Sequence, residues 1–187
     1  MILLTGDFVN SDPREMALLV PSLEKVRAPL GVYGSLGNHD HYMEEWEHQE
    51  LVKILRQTQM KLFVNQNTVI SVDGGKLQLA GTDNSGMNQN YANLDAALAG
   101  FSPEHPTILM AHDPTFWDKS VRPDTHVDLM LSGHTHGGQF GVHLLGQELS
   151  VADFVYKQWA GLYREGDKQL YVNRGVGTTA FPVRVGI

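Results

Sequence analysis

Two histidines, His134 and His136, stand two positions apart in a glycine-rich stretch, residues 133–139, directly after an apolar run at 127–132. Neutral imidazole is the commonest metal ligand in proteins, and the neighbouring glycines allow the backbone to approach a bound ion closely. By itself the pair is as compatible with a surface loop as with a metal site. The rest of the chain must therefore show whether further ligands reach the same place.

Other side chains able to bind a metal follow three further apolar runs. They are Asp7 after residues 2–4, Asn38, His39 and Asp40 after residues 31–36, and His112 after residues 106–111. Such runs are typical of parallel strands covered on both faces, and open α/β sheets bind ligands at the carboxyl ends of those strands. A turn aspartate is the simpler explanation of Asp7 when it is considered alone. Together, the four strand ends predict one site whose carboxylate, amide and imidazole groups suit Mn, Fe or Zn.

The composition is that of a single globular domain. The 187 residues are 42% hydrophobic and 19% charged, which predicts one domain over residues 1–187 with a substantial core. A net charge of −7 argues against a broad basic face for nucleic acid. Cysteine is absent from the sequence, which excludes disulfides and thiolate ligands. We see no signal peptide and no apolar run of membrane-spanning length, and we expect a cytoplasmic or membrane-associated location.

Strand and helix patterns alternate along the chain, as in an α/β fold. Asp12 and Pro13, with Glu15 three residues after Asp12, predict the start of a helix. The turn at Asp73-Gly74-Gly75 predicts a hairpin. The other predicted elements are a helix at 43–57, a short helix at 93–98 and paired strands at 161–164 and 169–173.

Four motifs, in order and spacing, resemble those of the calcineurin-like metallophosphoesterase superfamily: Gly6-Asp7, Gly37-Asn38-His39-Asp40, His112 and Gly133-His134-Thr135-His136. The stretches GNHDHY and GHTHGGQ, with residues 173–178 and 181–184, are most similar to its bacterial YkuE-like phosphodiesterase branch. The resemblance covers nearly the whole chain. It implies an α/β/β/α sandwich of two mixed sheets flanked by helices.

The resemblance also implies a binuclear metal centre. Asp7 would bridge two divalent ions, and His136 would belong to the first of them. Asn38, His112 and His134 would join Asp7 around the second ion. The implied reaction is hydrolysis of a phosphoester, a phosphodiester or phospholipid-type substrate being favoured, by a hydroxide that bridges the ions.

His39 and Asp40 are the catalytic residues that the resemblance implies. His39 would face the scissile phosphate and either stabilise charge on its oxygens or protonate the leaving group. Asn10 departs from the family pattern, because many members carry a carboxylate there that is hydrogen-bonded to the catalytic histidine. An amide cannot stabilise an imidazolium by charge, so the general-acid role of His39 is less secure than its place in the site.

A second departure is the absence of the Asp-x-His motif that supplies most of the first metal site in the family. We therefore expect a sandwich lacking its first strand, a chain truncated at the N-terminus, with truncation at the C-terminus as a further option, and one firmly held ion. Asp12 and Asp83 are substitutes for the motif only by speculation. The alternative function is a catalytically impaired binding or scaffold module with the same fold.

Several assignments remain open from the sequence alone. His41 and Tyr42 either touch substrate or only pack against neighbours, and Arg174 and Arg184 either meet a phosphate or form structural salt bridges. We expect a small-molecule or lipid phosphoester as partner, no nucleic acid, and peripheral membrane association as an option. The substrate, the metal and the oligomeric state are not specified by these patterns.

Overall fold

The computed structural model describes residues 1–144, 146–179 and 181–187. Its strands are β1 (Ile2–Leu4), β2 (Val32–Gly34), β3 (Lys61–Leu62), β4 (Gln66–Val72), β5 (Gly75–Gly81), β6 (Ser85–Gly86), β7 (Gln89–Asn90), β8 (Thr107–Met110), β9 (Leu129–Ser132), β10 (Gly141–Leu144), β11 (Gln147–Ser150), β12 (Gly161–Glu165) and β13 (Lys168–Val172). The α-helices are α1 (Met16–Leu23), α2 (Glu45–Gln57), α3 (Leu94–Ala97) and α4 (Arg122–Asp124), and a π-helical turn spans Trp117–Val121. Short 3₁₀ turns occur at Pro13–Glu15, His39–His41, His136–Gly138 and Val151–Phe154.

Two sheets form the body of the fold. The smaller sheet has the order β1-β2-β3 and is parallel throughout. The larger sheet has the order β12-β13-β9-β8-β5-β4, with four central parallel strands and an antiparallel strand at each edge. Two small hairpins, β6-β7 and β10-β11, lie outside these sheets.

Three apolar clusters identify the layers of the fold. Leu51 and Leu55 of α2 pack with Val32 of β2 on the outer face of the small sheet. Between the sheets lies a cluster of Tyr33, Phe63, Leu79 and Met110. A third cluster covers the outer face of the large sheet and includes the following buried residues: Ala80, Ala97, Leu109, Trp117, Val121, Met130 and Leu170. Neighbours such as Leu79 and Ala80 therefore face opposite sides of one strand, and the fold is an α/β/β/α sandwich.

Local sequence signals place most of these elements correctly. The Asp12 side chain accepts the N–H of Arg14, and Asp12 and Glu15 form the reciprocal capping box that their spacing predicts. Helix α2 begins at Glu45 rather than at the predicted Met43, with a second capping box between Glu44 and Glu47. The predicted hairpin is β4-β5 with the expected turn. The sequence patterns do not predict strands β3, β6, β7, β10 and β11.

Strand β1 pairs with β2 on one side only in the part of the chain that the structure describes. A cavity of about 460 Å³ lies beside it, lined in part by Leu3, Leu23 and Leu131 and also by Asp7, His112 and His134. The expectations of an absent first strand and of a truncated domain stay predictions. No helix among the described residues is both long enough and apolar enough to span a bilayer.

Candidate metal centre and adjoining cleft

Four strand ends meet where the two sheets face each other. Asp7 follows β1 and Asn38 follows β2 in the small sheet, whereas His112 follows β8 and His134 follows β9 in the large sheet. His112 is tied across the gap, because its Nδ1 donates to the carbonyl of Thr5 at 2.6 Å. The carboxyl ends of parallel strands thus bring residues far apart in sequence to one place.

Asp7, His112 and His134 form the compact group of this site. One ligand atom from each lies within 4.8 Å of the others, and among the described residues this is the one such group of three acidic or imidazole side chains. His112 Nε2 lies 3.0 Å from Asp7 Oδ2, and His134 Nδ1 lies 3.3 Å from His112 Nε2. Ligand atoms crowded in this way are stabilised when they share a positive charge, either a proton or a metal ion.

Asn38 provides a second indication that a cation fits. Its side chain is buried, its Nδ2 donates to the hydroxyl of Tyr42 at 3.0 Å, and its Oδ1 has no hydrogen-bond partner among the described residues. A buried carbonyl oxygen without a partner costs free energy that a divalent ion would recover. The donor set of carboxylate, amide oxygen and two imidazoles therefore fits a divalent metal.

The backbone around the site is held in unusual conformations. Asp7, His134 and His136 have φ angles of 60°, 70° and 51°, in the left-handed region that side chains with a Cβ rarely adopt. A Cβ on Gly37 would lie 2.3 Å from Asp7 Oδ1, so the close approach of the two loops requires glycine there. Strain of this kind clusters at functional sites.

Asp40 is buried beneath this site rather than facing the cleft. Its Oδ2 accepts the N–H groups of Asp7 at 3.0 Å and Gly37 at 2.9 Å, and its Oδ1 accepts the N–H of Phe8 at 2.8 Å. Burial, with the charge of Asp7, raises the pKa of Asp40 to about 6 against the lowering effect of the hydrogen bonds. Asp40 therefore joins the loop after β1 to the loop after β2, which favours a positioning role over the catalytic role expected from its motif.

The pKa values of the two buried histidines, His112 and His134, are shifted in opposite directions. Burial acts to lower the pKa of His112, but the hydrogen bond and charge of Asp7 outweigh it and raise that pKa above its ordinary 6.5. Burial also acts to raise the pKa of Asp7, and His112 and His39 outweigh it, so that this pKa is lowered. Burial and the charge of His112 lower the pKa of His134 to about 4. His134 is therefore neutral near pH 7, as a metal ligand must be.

His39 stands between the metal group and a surface cleft. Its backbone N–H donates to Asp7 Oδ1 at 2.9 Å, and its Nδ1 lies 2.8 Å from the backbone carbonyl of Asn10. A backbone carbonyl can only accept, so it fixes a proton on His39 Nδ1 and leaves Nε2 unprotonated in the neutral ring. His39 lines a cleft of about 410 Å³ with the following residues: Asn38, Tyr42, Met87, His134, His136, Phe140, Tyr156 and Phe181.

His136 does not belong to the three-residue group. Its Nδ1 lies 3.4 Å from the carbonyl of Gly177, and burial lowers its pKa. The ring lines the cleft, and its assignment to a first metal ion stays a prediction. Neither speculative substitute for the missing motif reaches the group, because Asp12 caps a helical turn and Asp83 pairs with His41 at 2.7 Å.

The open alternatives divide between packing and contact with the cleft. His41 is buried and stacks between His48 and Tyr91, whereas Tyr42 lines the cleft. Arg174 forms an ion pair with Glu148, as in the structural salt-bridge alternative for this arginine. Arg184 donates to the carbonyls of Arg174 and Gly177 at 3.0 and 2.7 Å.

Two residues of the site were not singled out from the sequence. Tyr156 places its hydroxyl 2.9 Å from His134 Nε2, and buried Asp113 has Oδ2 at 3.7 Å from the same nitrogen. Asp113 directly follows His112 in the sequence, and this position could have identified it as a candidate site residue. Tyr156 lies in the loop between Val151–Phe154 and β12, where no local pattern points to the site.

The fold and the site together are those of a metallophosphoesterase. Residues 1–138 match the family described as calcineurin-like phosphoesterase, and the chain belongs to that family. The resemblance found in the four motifs is thereby confirmed, as are the sandwich architecture and the bacterial branch.

Several curated proteins are similar over almost the whole chain. The Phosphodiesterase YaeI of Escherichia coli is 33% identical over 95% of this chain and 63% of its own length. YkoQ of Bacillus subtilis, an uncharacterized metallophosphoesterase, is 30% identical over 100% of this chain and 68% of its own length. A bovine transmembrane protein with metallophosphoesterase domain is 31% identical over 98% of this chain, which spans 42% of that relative.

Solved structures support the fold alone. The NAD nucleotidase of Haemophilus influenzae superposes with a TM-score of 0.55 at 16% identity, covering 94% of this chain and 40% of that structure. Family membership and these relatives associate the chain with phosphoester hydrolysis and with divalent metals in general.

Proposed function

We propose that this domain hydrolyses a phosphodiester with the help of a divalent cation held by Asp7, Asn38, His112 and His134. The observation that carries the proposal is the three-residue group within 4.8 Å, beside which the buried Asn38 Oδ1 lacks a partner. Bound there, the cation would supply positive charge to the phosphoryl oxygens and lower the pKa of the attacking water. The remaining tasks, which are orientation, shielding and proton transfer, belong to the side chains around it.

His39 has the geometry of the proton-handling residue. The carbonyl of Asn10 holds its Nδ1, and the ring borders the cleft in which the ester would lie. When the ring is protonated, its Nε2–H is available to stabilise charge on the phosphoryl oxygens or to give a proton to the leaving alcohol. The edge of the Tyr42 ring packs against the imidazole at 4.9 Å between centroids, which limits its rotation.

The lining of the cleft supports an ester with an apolar substituent. Met87, Phe140 and Phe181 line the cleft beside His39 and are substantially exposed. Apolar side chains in a recognition cleft gain free energy when a ligand removes them from water. One relative is named a phosphodiesterase and another a transmembrane protein, which supports a phosphodiester or phospholipid-type substrate near a membrane.

The test is hydrolysis of bis-p-nitrophenyl phosphate by the protein loaded with Mn²⁺, Fe²⁺ or Zn²⁺. We expect metal-dependent release of nitrophenol that a chelator abolishes and that added metal restores. His112→Asn should remove both metal binding and turnover, whereas His105→Asn, outside the site, should change neither. Firm metal binding without hydrolysis of this ester, of a phosphomonoester or of a lysophospholipid would instead indicate the binding-module alternative.

A further inference from the structure

Tyr42 fixes the orientation of the Asn38 amide. The amide Nδ2 donates to the Tyr42 hydroxyl at 3.0 Å, which leaves Oδ1 on the other side of the buried group without a partner. A hydroxyl that accepts this N–H cannot direct its own proton at the same nitrogen, because an amide NH₂ has no lone pair to offer. The Tyr42 proton is therefore free to be donated elsewhere.

Tyr156 is hydrogen-bonded to His134 as Tyr42 is to Asn38. Its hydroxyl lies 2.9 Å from His134 Nε2, while His134 Nδ1 faces His112 and the metal group. When Nδ1 binds a cation, the proton of the neutral ring must be on Nε2, and this N–H donates to the tyrosine oxygen. Asp113 Oδ2, at 3.7 Å, is too distant to replace the hydroxyl as a hydrogen-bond acceptor.

Both tyrosines open onto the same cleft as His39. Neither hydroxyl has another hydrogen-bond partner in the described part of the chain. Two neutral O–H donors thus border the space that an ester would occupy, and each is held in place by a residue of the metal group. Phosphoryl oxygens are strong acceptors, and neutral donors bind them without the desolvation cost of an added charge.

We infer that Tyr42 and Tyr156 form a hydroxyl pair that holds Asn38 and His134 in their ligand orientations and donates two hydrogen bonds to the oxygens of a bound phosphoester. The inference rests on the proposed function and deepens it, because it names the groups that recognise the phosphoryl oxygens. It predicts that loss of one hydroxyl affects both metal affinity and anion affinity, which a purely structural ring would not do.

The experiment compares Tyr42→Phe, Tyr156→Phe and the double variant with the wild-type protein. Calorimetric titration with Mn²⁺ measures metal affinity, and titration of the Mn²⁺-loaded proteins with inorganic phosphate measures anion affinity. We expect each single variant to lose about 10-fold in Mn²⁺ affinity, the lower end of effects seen for residues that support metal ligands. At saturating Mn²⁺, we expect phosphate affinity to fall about 10-fold for each lost hydroxyl.

Tyr171→Phe is the matched control, because this half-exposed tyrosine of β13 has no hydrogen bond from its hydroxyl among the described residues. Thermal melting of each variant confirms that the fold is retained. Wild-type Mn²⁺ affinity in either phenylalanine variant overturns the positioning role, and unchanged phosphate affinity in both overturns the donor role. A wild-type protein that binds Mn²⁺ and phosphate but hydrolyses no ester contradicts the proposed function. The Mn²⁺ and phosphate affinities of the variants then still decide the role of the two tyrosines.

Discussion

Asp7 and His112 form a buried ion pair between the two sheets, with His112 Nε2 3.0 Å from Asp7 Oδ2 and side chains that are 2% and 13% exposed for His112 and Asp7. Each partner stabilises the charged form of the other, so the pKa of His112 is raised and that of Asp7 is lowered. The proton on His112 Nε2 occupies the lone pair through which this ring would bind a cation. Metal binding must therefore displace a proton from His112.

Metal binding should consequently release protons near neutral pH. His112 keeps its proton to higher pH than a free imidazole does, because its pKa is raised. His134, with a pKa of about 4, contributes almost nothing. We expect a positive number of protons released per Mn²⁺ near neutral pH, with affinity rising with pH until His112 is neutral. Calorimetry in buffers of different ionisation enthalpy measures this number, and binding without proton release would contradict the ion pair.

The number of ions bound is a separate prediction. The described residues provide one compact ligand group, and His136 lies outside it, paired with the Gly177 carbonyl. We expect one divalent ion per chain to survive desalting, and a second to bind weakly or not at all. Elemental analysis of the 187-residue chain measures the ratio. Two firmly held ions per chain would show that further ligands complete a second site.

His39 and His134 should respond differently to substitution. His39 touches Asp7 through its backbone N–H and presents its ring to the cleft, so His39→Gln leaves the metal group intact. Its turnover should fall about 100-fold or more, as for loss of a general acid, with metal content near that of the wild type. His134→Gln should lower both quantities. Parallel kinetics and elemental analysis separate the two cases, and equal loss of metal in the two variants would refute the division of roles.

The sequence allowed the strand ends of the site to be predicted because strand ends are specified locally. The short apolar runs before Asp7, Asn38, His112 and His134 each form a parallel strand whose carboxyl end faces one edge of its sheet. Strand β3 was not predicted because its two residues, Lys61–Leu62, are too few to show a hydrophobic periodicity. Strand β10 of the β10-β11 hairpin is mostly exposed and likewise lacks a buried face that would mark it.

The role of Tyr156 could not be predicted, because it depends on the path of a loop. Its hydroxyl reaches His134 only after the chain has turned at Val151–Phe154. The direction in which Asp40 faces could not be predicted for a different reason: the motif specifies a carboxylate but not its orientation. The three N–H groups of Asp7, Phe8 and Gly37 converge only when the two loops meet, and they draw Asp40 beneath the site.

Asp40→Asn should destabilise the fold and the metal group together. Asp40 accepts N–H groups on both carboxylate oxygens, whereas an asparagine has one oxygen and would direct its NH₂ against the remaining N–H donors. Leaving at least one buried N–H without an acceptor costs about 1–3 kcal/mol, so we expect a loss of about 1–3 kcal/mol in the free energy of unfolding. That loss is a large share of the roughly 5–15 kcal/mol that stabilises a domain.

Urea unfolding of the metal-free protein measures the loss directly. Asp73→Asn is the control, because Asp73 lies in the exposed β4-β5 turn at a φ of 49°, which asparagine adopts readily. The control should unfold within about 0.5 kcal/mol of the wild type. Mn²⁺ affinity should also fall in Asp40→Asn, since Asp7 and Asn38 depend on the joined loops for their alignment. If the Asp40→Asn protein is as stable as the control and binds Mn²⁺ normally but has reduced turnover, Asp40 has the catalytic role expected from its motif.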